Sequence, residues 1–178
     1  MIERIIIAGS GGQGVMLLGK VIAEAAMQQG YQVVYLPAYG PEVRGGSSYC
    51  MVTISDQQIG SFYIIKADSL IILNNLSLER FKNRVIHDGL LILNSSLAKT
   101  EAYAQVRVLQ FPFTDVALRL DNVKVANMVA LGIYLAVKKI LKIENILRVF
   151  KFMAPSGNLK ILEVNELALK EGGRLING

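Results

Sequence analysis

This chain has almost nothing with which to hold a metal. Its 178 residues include one cysteine, Cys50, and one histidine, His87. No disulfide framework can form within it, and no CxxC or Cys/His cluster is present for zinc or an iron-sulfur cluster. Any metal chemistry must come from another chain. Long apolar runs are missing too: none reaches the roughly 20 residues that cross a bilayer. The N-terminus enters a strand-like run without a signal-peptide cleavage pattern, so the expectation is a cytoplasmic chain with no membrane partner. Sets of catalytic side chains are equally scarce. His87 lies between Ile86 and the turn residues Asp88 and Gly89, which reads as a turn or surface position. Cys50 falls in a predicted strand and reads as a buried, inert thiol. No Ser/His/Asp set and no carboxylate pair can be picked out.

What is present is an apolar chain, 52% hydrophobic and 19% charged, long enough for one substantial core and short for two, so a single domain over 1–178 is expected. The net charge of +5 is unevenly spread. Residues 1–60 hold Arg4, Lys20 and Arg44 against Glu3, Glu24, Glu42 and Asp56, a balance of −1, so the remaining 118 carry +6. The basic residues of the second part are scattered, Lys138 and Lys139 being the one adjacent pair, and no aromatic and basic residues interleave as on a single-strand platform. No nucleic-acid partner is expected; a solvated basic surface, or a face for an acidic protein, fits better.

Periodicity lays out an α/β fold. Arg4 to Gly9 is a β-branched run ending in glycines, a buried first strand. Val15, Leu18, Val21, Ile22, Ala25 and Ala26 recur at helical spacing up to Gln29, and Gly30 is placed to end the helix. Tyr31 to Leu36 gives a second strand, so the opening reads as a βαβ unit whose two strands are parallel neighbours. Pro37 to Ser48 is a Gly/Pro-rich loop. Residues 49–65 read as a β-hairpin turning at "DQQ". Further strands are predicted at Ser69–Asn74, Asp88–Ser96 and Val106–Phe111, and helices at Asn122–Leu141, Glu144–Phe152 and Asn158–Glu171. The helix at 122–141 is apolar nearly all round, which predicts burial inside the fold. The expected class is a three-layer, Rossmann-like open mixed sheet, mostly parallel, with a β-hairpin insertion and a helical C-terminal third.

Two loops carry the functional question. In "GSGGQGVMLLGK", Gly9, Gly11 and Gly14 fit a dinucleotide motif, while Gly14, Gly19 and Lys20 fit most of a P-loop. The P-loop reading fails because Val15 to Leu18 form an apolar turn where a phosphate cradle needs open backbone, and Val21 stands where Ser or Thr would hold magnesium. The dinucleotide reading has the right strand-loop-helix setting but lacks the ribose-binding acid, since no Asp or Glu occurs from Ala25 through Pro41. Three roles stay open for the loop: tight helix-strand packing or protein contact, a non-NAD anionic ligand, and NAD(P). The second loop, "YGPEVRGG", should emerge at the same carboxyl edge of the sheet, where α/β folds place their sites. There Arg44, which precedes Gly45 and Gly46, could offer a planar bidentate fork to a carboxylate or phosphate, or it could simply pair with Glu42 at the surface.

Taken together, "GSGGQGVMLLGKVIAEAA" and "YGPEVRGGSSYCMVTIS" resemble the γ subunit or γ domain of the 2-oxo acid:ferredoxin oxidoreductases. The similarity runs on through "DSLIILNN", "GLLILNSSL", "VANMVALG" and "NELALKEG", nearly the whole chain, and departs at Ser10, where relatives often carry a larger apolar or aromatic residue. The resemblance implies a coenzyme A-dependent oxidative decarboxylation performed by a hetero-oligomer. Thiamine diphosphate, magnesium and iron-sulfur clusters would sit in the alpha and beta companions, with a delta subunit as a further open partner. Ferredoxin would accept the electrons, and coenzyme A would be co-substrate. The γ chain would pack near the coenzyme A side and carry no catalytic residue, with Gly9, Gly11, Gly12, Gln13, Gly14, Tyr39, Gly40, Glu42, Arg44, Gly45 and Gly46 as ligand- or partner-binding positions. The resemblance favours 2-oxoglutarate, with branched-chain 2-oxo acids next. The competing readings are a freestanding NAD(P)-dependent oxidoreductase, which the missing ribose acid opposes, and a small interaction or nucleic-acid-binding domain, which the charge distribution opposes.

Overall fold

The computed structural model describes residues 1–38, 47–101, 105–153 and 159–177. In chain order its elements are β1 (Ile2–Ser10), α1 (Val15–Gln28), β2 (Gln32–Ala38), β3 (Ser47–Ser55), β4 (Ala67–Ile72), α2 (Asn75–Phe81), β5 (Val85–Asn94), β6 (Arg107–Phe111), α3 (Phe113–Arg119), α4 (Ala126–Lys138), α5 (Ile143–Met153) and α6 (Leu159–Asn177). Single 3-10 turns at Lys82–Arg84 and Val123–Val125 lead into β5 and α4. Gly30 ends α1 as expected: its φ is +85°, and its N–H donates to the Met27 carbonyl at 2.9 Å.

The strands form one six-stranded sheet in the order β2-β3-β1-β4-β5-β6. β1, β4, β5 and β6 pair in parallel, while β3 is antiparallel to both β1 and β2. The mixed, mostly parallel sheet is therefore present, but two details of the sequence reading are corrected. β1 and β2 are not neighbours. The nine-residue β3 lies between them, with Cys50, Val52 and Ile54 buried on one face and Met51 on the other, so both of its edges are satisfied by ladders. That leaves no edge for a second hairpin strand within 49–65. Residues 56–66 carry no strand, and the antiparallel hairpin is instead β2 with β3. β2 is thereby an edge strand, a position that tolerates Pro37 inside it.

Alternation sorts the side chains. Ile5, Ile7, Ile71 and Ile92 face a large core shared with α1, α3, α4, α5 and α6, while Ile6, Ala8, Leu70 and Leu91 face a smaller one closed by α2 and Ile64. α4 lies between the sheet and α6, which is why Asn127 to Leu135 is an unbroken buried run. Gly132 and Gly172 let the α4 and α6 backbones meet, since a Cβ on either would collide with a backbone carbonyl of the other helix. The predicted helix at 122–141 is shortened to α4, which ends at Lys139 in the left-handed region (φ 55°). The seven-residue α2 and α3 went unforeseen. Among the described residues no helix is long and apolar enough to cross a membrane.

Candidate functional site at the carboxyl edge

β2 and β1 run in the same direction because each is antiparallel to β3. Their C-terminal ends therefore share one edge of the sheet, as expected, although another strand separates them. Tyr39, Gly40, Glu42, Arg44, Gly45 and Gly46 lie outside the described residues. Their flanks are placed: Ala38 pairs with Tyr49, and Ser47 pairs with Ser10 beside the glycine loop.

The glycine loop is built from conformation and packing together. Gly12 (φ 86°) and Gly14 (φ 73°) occupy the left-handed region, where side chains are strained. Gly14 caps α1, and a Cβ there would strike the Asn127 side chain, whose Nδ2 donates to the Gly14 carbonyl at 3.2 Å. A Cβ on Gly9 would lie 2.7 Å from Gln13 Oε1 and 3.0 Å from Leu73. Gly11 differs from these: it has no positive φ, and a Cβ there meets nothing within 4 Å.

Gln13 turns inward. Its Oε1 accepts from the Ser10 backbone N–H at 2.7 Å and from Asn74 Nδ2 at 3.0 Å. Asn74 Nδ2 also donates to Ser10 Oγ at 2.6 Å, which gives the small hydroxyl at position 10 a partner. Asn74 Oδ1 caps α2 by accepting from the Ser77 N–H. Asn94, at the end of β5, donates from Nδ2 to the Leu73 carbonyl at 3.1 Å and to Thr114 Oγ1 at 2.9 Å. Neutral amides thus tie the ends of β1, β4 and β5 together.

Above this brace lies a cavity of about 350 Å³, lined among others by Gly11, Gly12, Leu97, Thr114, Val123 and Lys124. The sequence reading named Gly11, Gly12 and Gln13 among its lining residues and not the others. A usable signal existed for Asn127, a polar residue inside an otherwise apolar helix, because such a buried amide needs a specific partner. A second cavity, of about 400 Å³, lies away from this edge between α4 and α6, lined by Gly132, Leu135 and Leu169.

The geometry fits neither nucleotide motif. Gly19 packs α1 onto the sheet, with no room for a Cβ against Cys50 Sγ, and Lys20 is exposed on the helix away from the loop. Neither belongs to a phosphate cradle. The dinucleotide reading loses its frame as well as its acid, because the strand beside β1 on that side is β3 rather than β2. Cys50 is fully buried, and desolvation pushes its thiol up to about 12, so it stays protonated and unreactive. His87 is exposed beside Asp88, its Nδ1 2.7 Å from Oδ2.

Comparison with known proteins decides the family. A sequence profile described as pyruvate ferredoxin/flavodoxin oxidoreductase matches residues 4–175. The chain belongs to this family. It is 36% identical over 170 residues to ketoisovalerate oxidoreductase subunit VorA of Methanothermobacter thermautotrophicus, covering 95% of this chain and 35% of that one. The chain thus spans about a third of the length of that relative. It is 32% identical over 178 residues to 2-oxoglutarate synthase subunit KorC of Methanocaldococcus jannaschii, covering 97% of this chain and 92% of the other. Among solved structures, the γ subunit of a keto/oxoacid ferredoxin oxidoreductase from Geobacter sulfurreducens superposes with a TM-score of 0.83 at 29% identity, covering 97% and 96% of the two chains. The 2-oxoglutarate:ferredoxin oxidoreductase of Magnetococcus marinus, solved with 2-oxoglutarate, coenzyme A and succinyl-CoA, superposes with a TM-score of 0.87 at 21% identity over 99% of this chain and 31% of that one, a likeness of fold.

Proposed function

We propose that this chain, as a single unit over 1–178, is the γ component of a cytoplasmic 2-oxo acid:ferredoxin oxidoreductase that makes an acyl-coenzyme A and reduces ferredoxin. The observation that carries this reading is the cavity at the carboxyl edge. It joins an α-helix N-terminus and Lys124, which suit anions, to Leu97 and Val123, which suit an aliphatic stem. Coenzyme A combines those two chemistries, phosphates and an amide-linked aliphatic arm. Gly11 adds support: neither its φ nor its packing calls for glycine, so close approach of something from outside the chain accounts for it.

The alpha and beta companions, with delta where present, would hold the thiamine diphosphate, magnesium and iron-sulfur clusters. Thiamine diphosphate supplies the carbanion stabilisation that decarboxylation needs. This chain's residues would do something simpler: the amide brace fixes Gly11 and Gly12 in place, Lys124 attracts the anionic end of the co-substrate, and Leu97 and Val123 exclude water from its stem. Arg44, just before Gly45 and Gly46, would pair with a carboxylate of a companion or with a phosphate of coenzyme A. The substrate placed first is 2-oxoglutarate, because the 2-oxoglutarate synthase relative is matched over nearly its whole length; ketoisovalerate comes second.

The test is co-expression with the neighbouring alpha and beta chains. The complete complex should reduce ferredoxin in a 2-oxo acid- and coenzyme A-dependent reaction, and the complex lacking this chain should lose that activity or bind coenzyme A far more weakly. A complex without it that keeps the same Michaelis constant for coenzyme A would overturn the assignment. Micromolar NAD binding by the isolated chain would revive the dehydrogenase reading.

A further inference from the structure

Residues 56–66, where a hairpin strand was expected, connect β3 to β4 at the amino edge of the sheet, opposite the cavity. Within this segment Phe62, Tyr63 and Ile65 are 67%, 49% and 74% exposed, while Ile64 between them is buried against the smaller core. Large apolar side chains grouped this way on a surface usually mark a contact. An irregular segment that merely strayed into solvent would be loosely held, and this one is not. Arg84 donates from Nε to the Ile65 carbonyl at 3.1 Å and from its terminal nitrogen to the Ile64 carbonyl. Its guanidinium also sits 5.2 Å from the centre of the Tyr63 ring. Lys66 Nζ donates to the Asn83 carbonyl at 2.6 Å, and Ser61 Oγ bonds both the N–H and the carbonyl of Tyr63. The backbone is fixed, and the apolar groups it fixes point outward.

We propose that Ser61–Lys66 is a preorganised docking knuckle that seats in an apolar groove, rimmed by acidic side chains, on a companion subunit of the oxidoreductase assembly. Charge decides the occupant. Among the described residues Lys66 and Arg84 are held by carbonyls rather than by carboxylates, which leaves two positive charges at the rim. A second copy of this chain, itself at +5, would bring the same two cations against them, whereas an acidic rim would complement them. The matched region of the ketoisovalerate relative is about a third of a longer polypeptide, so there the domain already has other chain segments to pack against. Rigid presentation lowers the ordering cost of association, and aromatic anchors beside an Arg are the composition of interface hot spots. The inference rests on the γ-component reading but concerns the opposite edge from the cavity.

The experiment uses the co-expressed complex carrying Phe62→Ser with Ile65→Ser, and separately Lys66→Glu. Phe62 and Ile65 are exposed, so the thermal midpoint of the isolated double variant should match wild type, while Lys66→Glu also gives up the Asn83 hydrogen bond and should lower it slightly. The double variant should raise the dissociation constant for the companion by about 100-fold, and Lys66→Glu by about 10-fold with a flatter salt dependence. The Michaelis constant for coenzyme A in the assembled fraction should stay unchanged. Unchanged dissociation in both variants would overturn the proposal, as would a wild-type homodimer that the double variant abolishes while the complex survives, or a raised coenzyme A Michaelis constant. If the wild-type chain assembles with no companion, the γ-component reading falls as well; if wild type and variants assemble equally, the knuckle alone falls.

Discussion

The two edges of the sheet hold their polar groups in opposite ways. At the carboxyl edge Ser10, Gln13, Asn74, Asn94 and Thr114 are neutral and bond to one another and to backbone. At the amino edge the polar groups are charged. Glu3, nearly fully buried, pairs with Lys138 at 2.8 Å and accepts from Ser69 Oγ at 2.7 Å and from the Tyr134 hydroxyl at 3.4 Å, while Arg4 pairs with Asp68. Within this cluster the charges neutralise each other, lock the end of α4 to β1 and have nothing left to offer a ligand, unlike Lys66 and Arg84 at the same edge, which meet carbonyls. A brace of amides positions a loop without setting up a competing field, which leaves Lys124 and the α1 terminus to act on whatever enters.

The largest effect should come from breaking the charged edge. Lys138→Met strands the Glu3 carboxylate in the core and should cost about 3 kcal/mol, the lower end for a broken buried pair because the ammonium is partly exposed. Pairing it with Glu3→Gln should recover much of that loss in a urea-unfolding cycle. An additive cycle would show that the two groups act independently. The neutral edge should respond next: Gly14→Ala places a side chain at φ 73° against Asn127 and should cost about 2 kcal/mol, from left-handed strain and the lost amide contact. A wild-type unfolding midpoint for this variant would mean that the loop is softer than described.

How far the sequence foretold this contrast depends on the range of the interaction. β1, α1, β4 to β6 and the buried character of α4 were legible because local apolar period and glycine punctuation determine them. The insertion of β3 was not, because which strand fills the slot beside β1 is decided by pairings across 37 to 53 residues, Ser10 with Ser47 and Ile2 with Ser55. The same long range hid what faces the glycine loop: Lys124 lines the cavity with Gly11 and Gly12, and Asn127 bonds Gly14 across 113 residues. Gln13 was foreseen as a site residue, and the structure gives it an internal role, since a one-letter motif does not show which way an amide turns.

A more gradual effect, smaller per pH unit than either substitution, should appear in alkali. The Cys50 thiol titrates near 9 when unfolded and is pushed to about 12 by burial, so the folded state keeps a proton that the unfolded chain gives up. Stability is therefore fully present below pH 9 and should fall by up to about 1.4 kcal/mol per pH unit as pH rises from 9 toward 12. Tyr134, also raised by burial and then by Glu3, adds to the fall at the top of that range. Cys50→Ala should flatten the lower part of the profile, and an unflattened profile would assign the loss elsewhere.

Gly11 should show the smallest change in stability and the most informative change in function. Gly11→Ala adds a methyl group into open space, so its unfolding free energy should stay within about 0.5 kcal/mol of wild type. Steady-state kinetics of the assembled complex carrying this variant test the central claim directly. The account predicts a Michaelis constant for coenzyme A raised about 10-fold, as expected for one crowded contact of some 1.4 kcal/mol, with that for the 2-oxo acid unchanged. Coenzyme A kinetics identical to wild type in a fully assembled complex would contradict it.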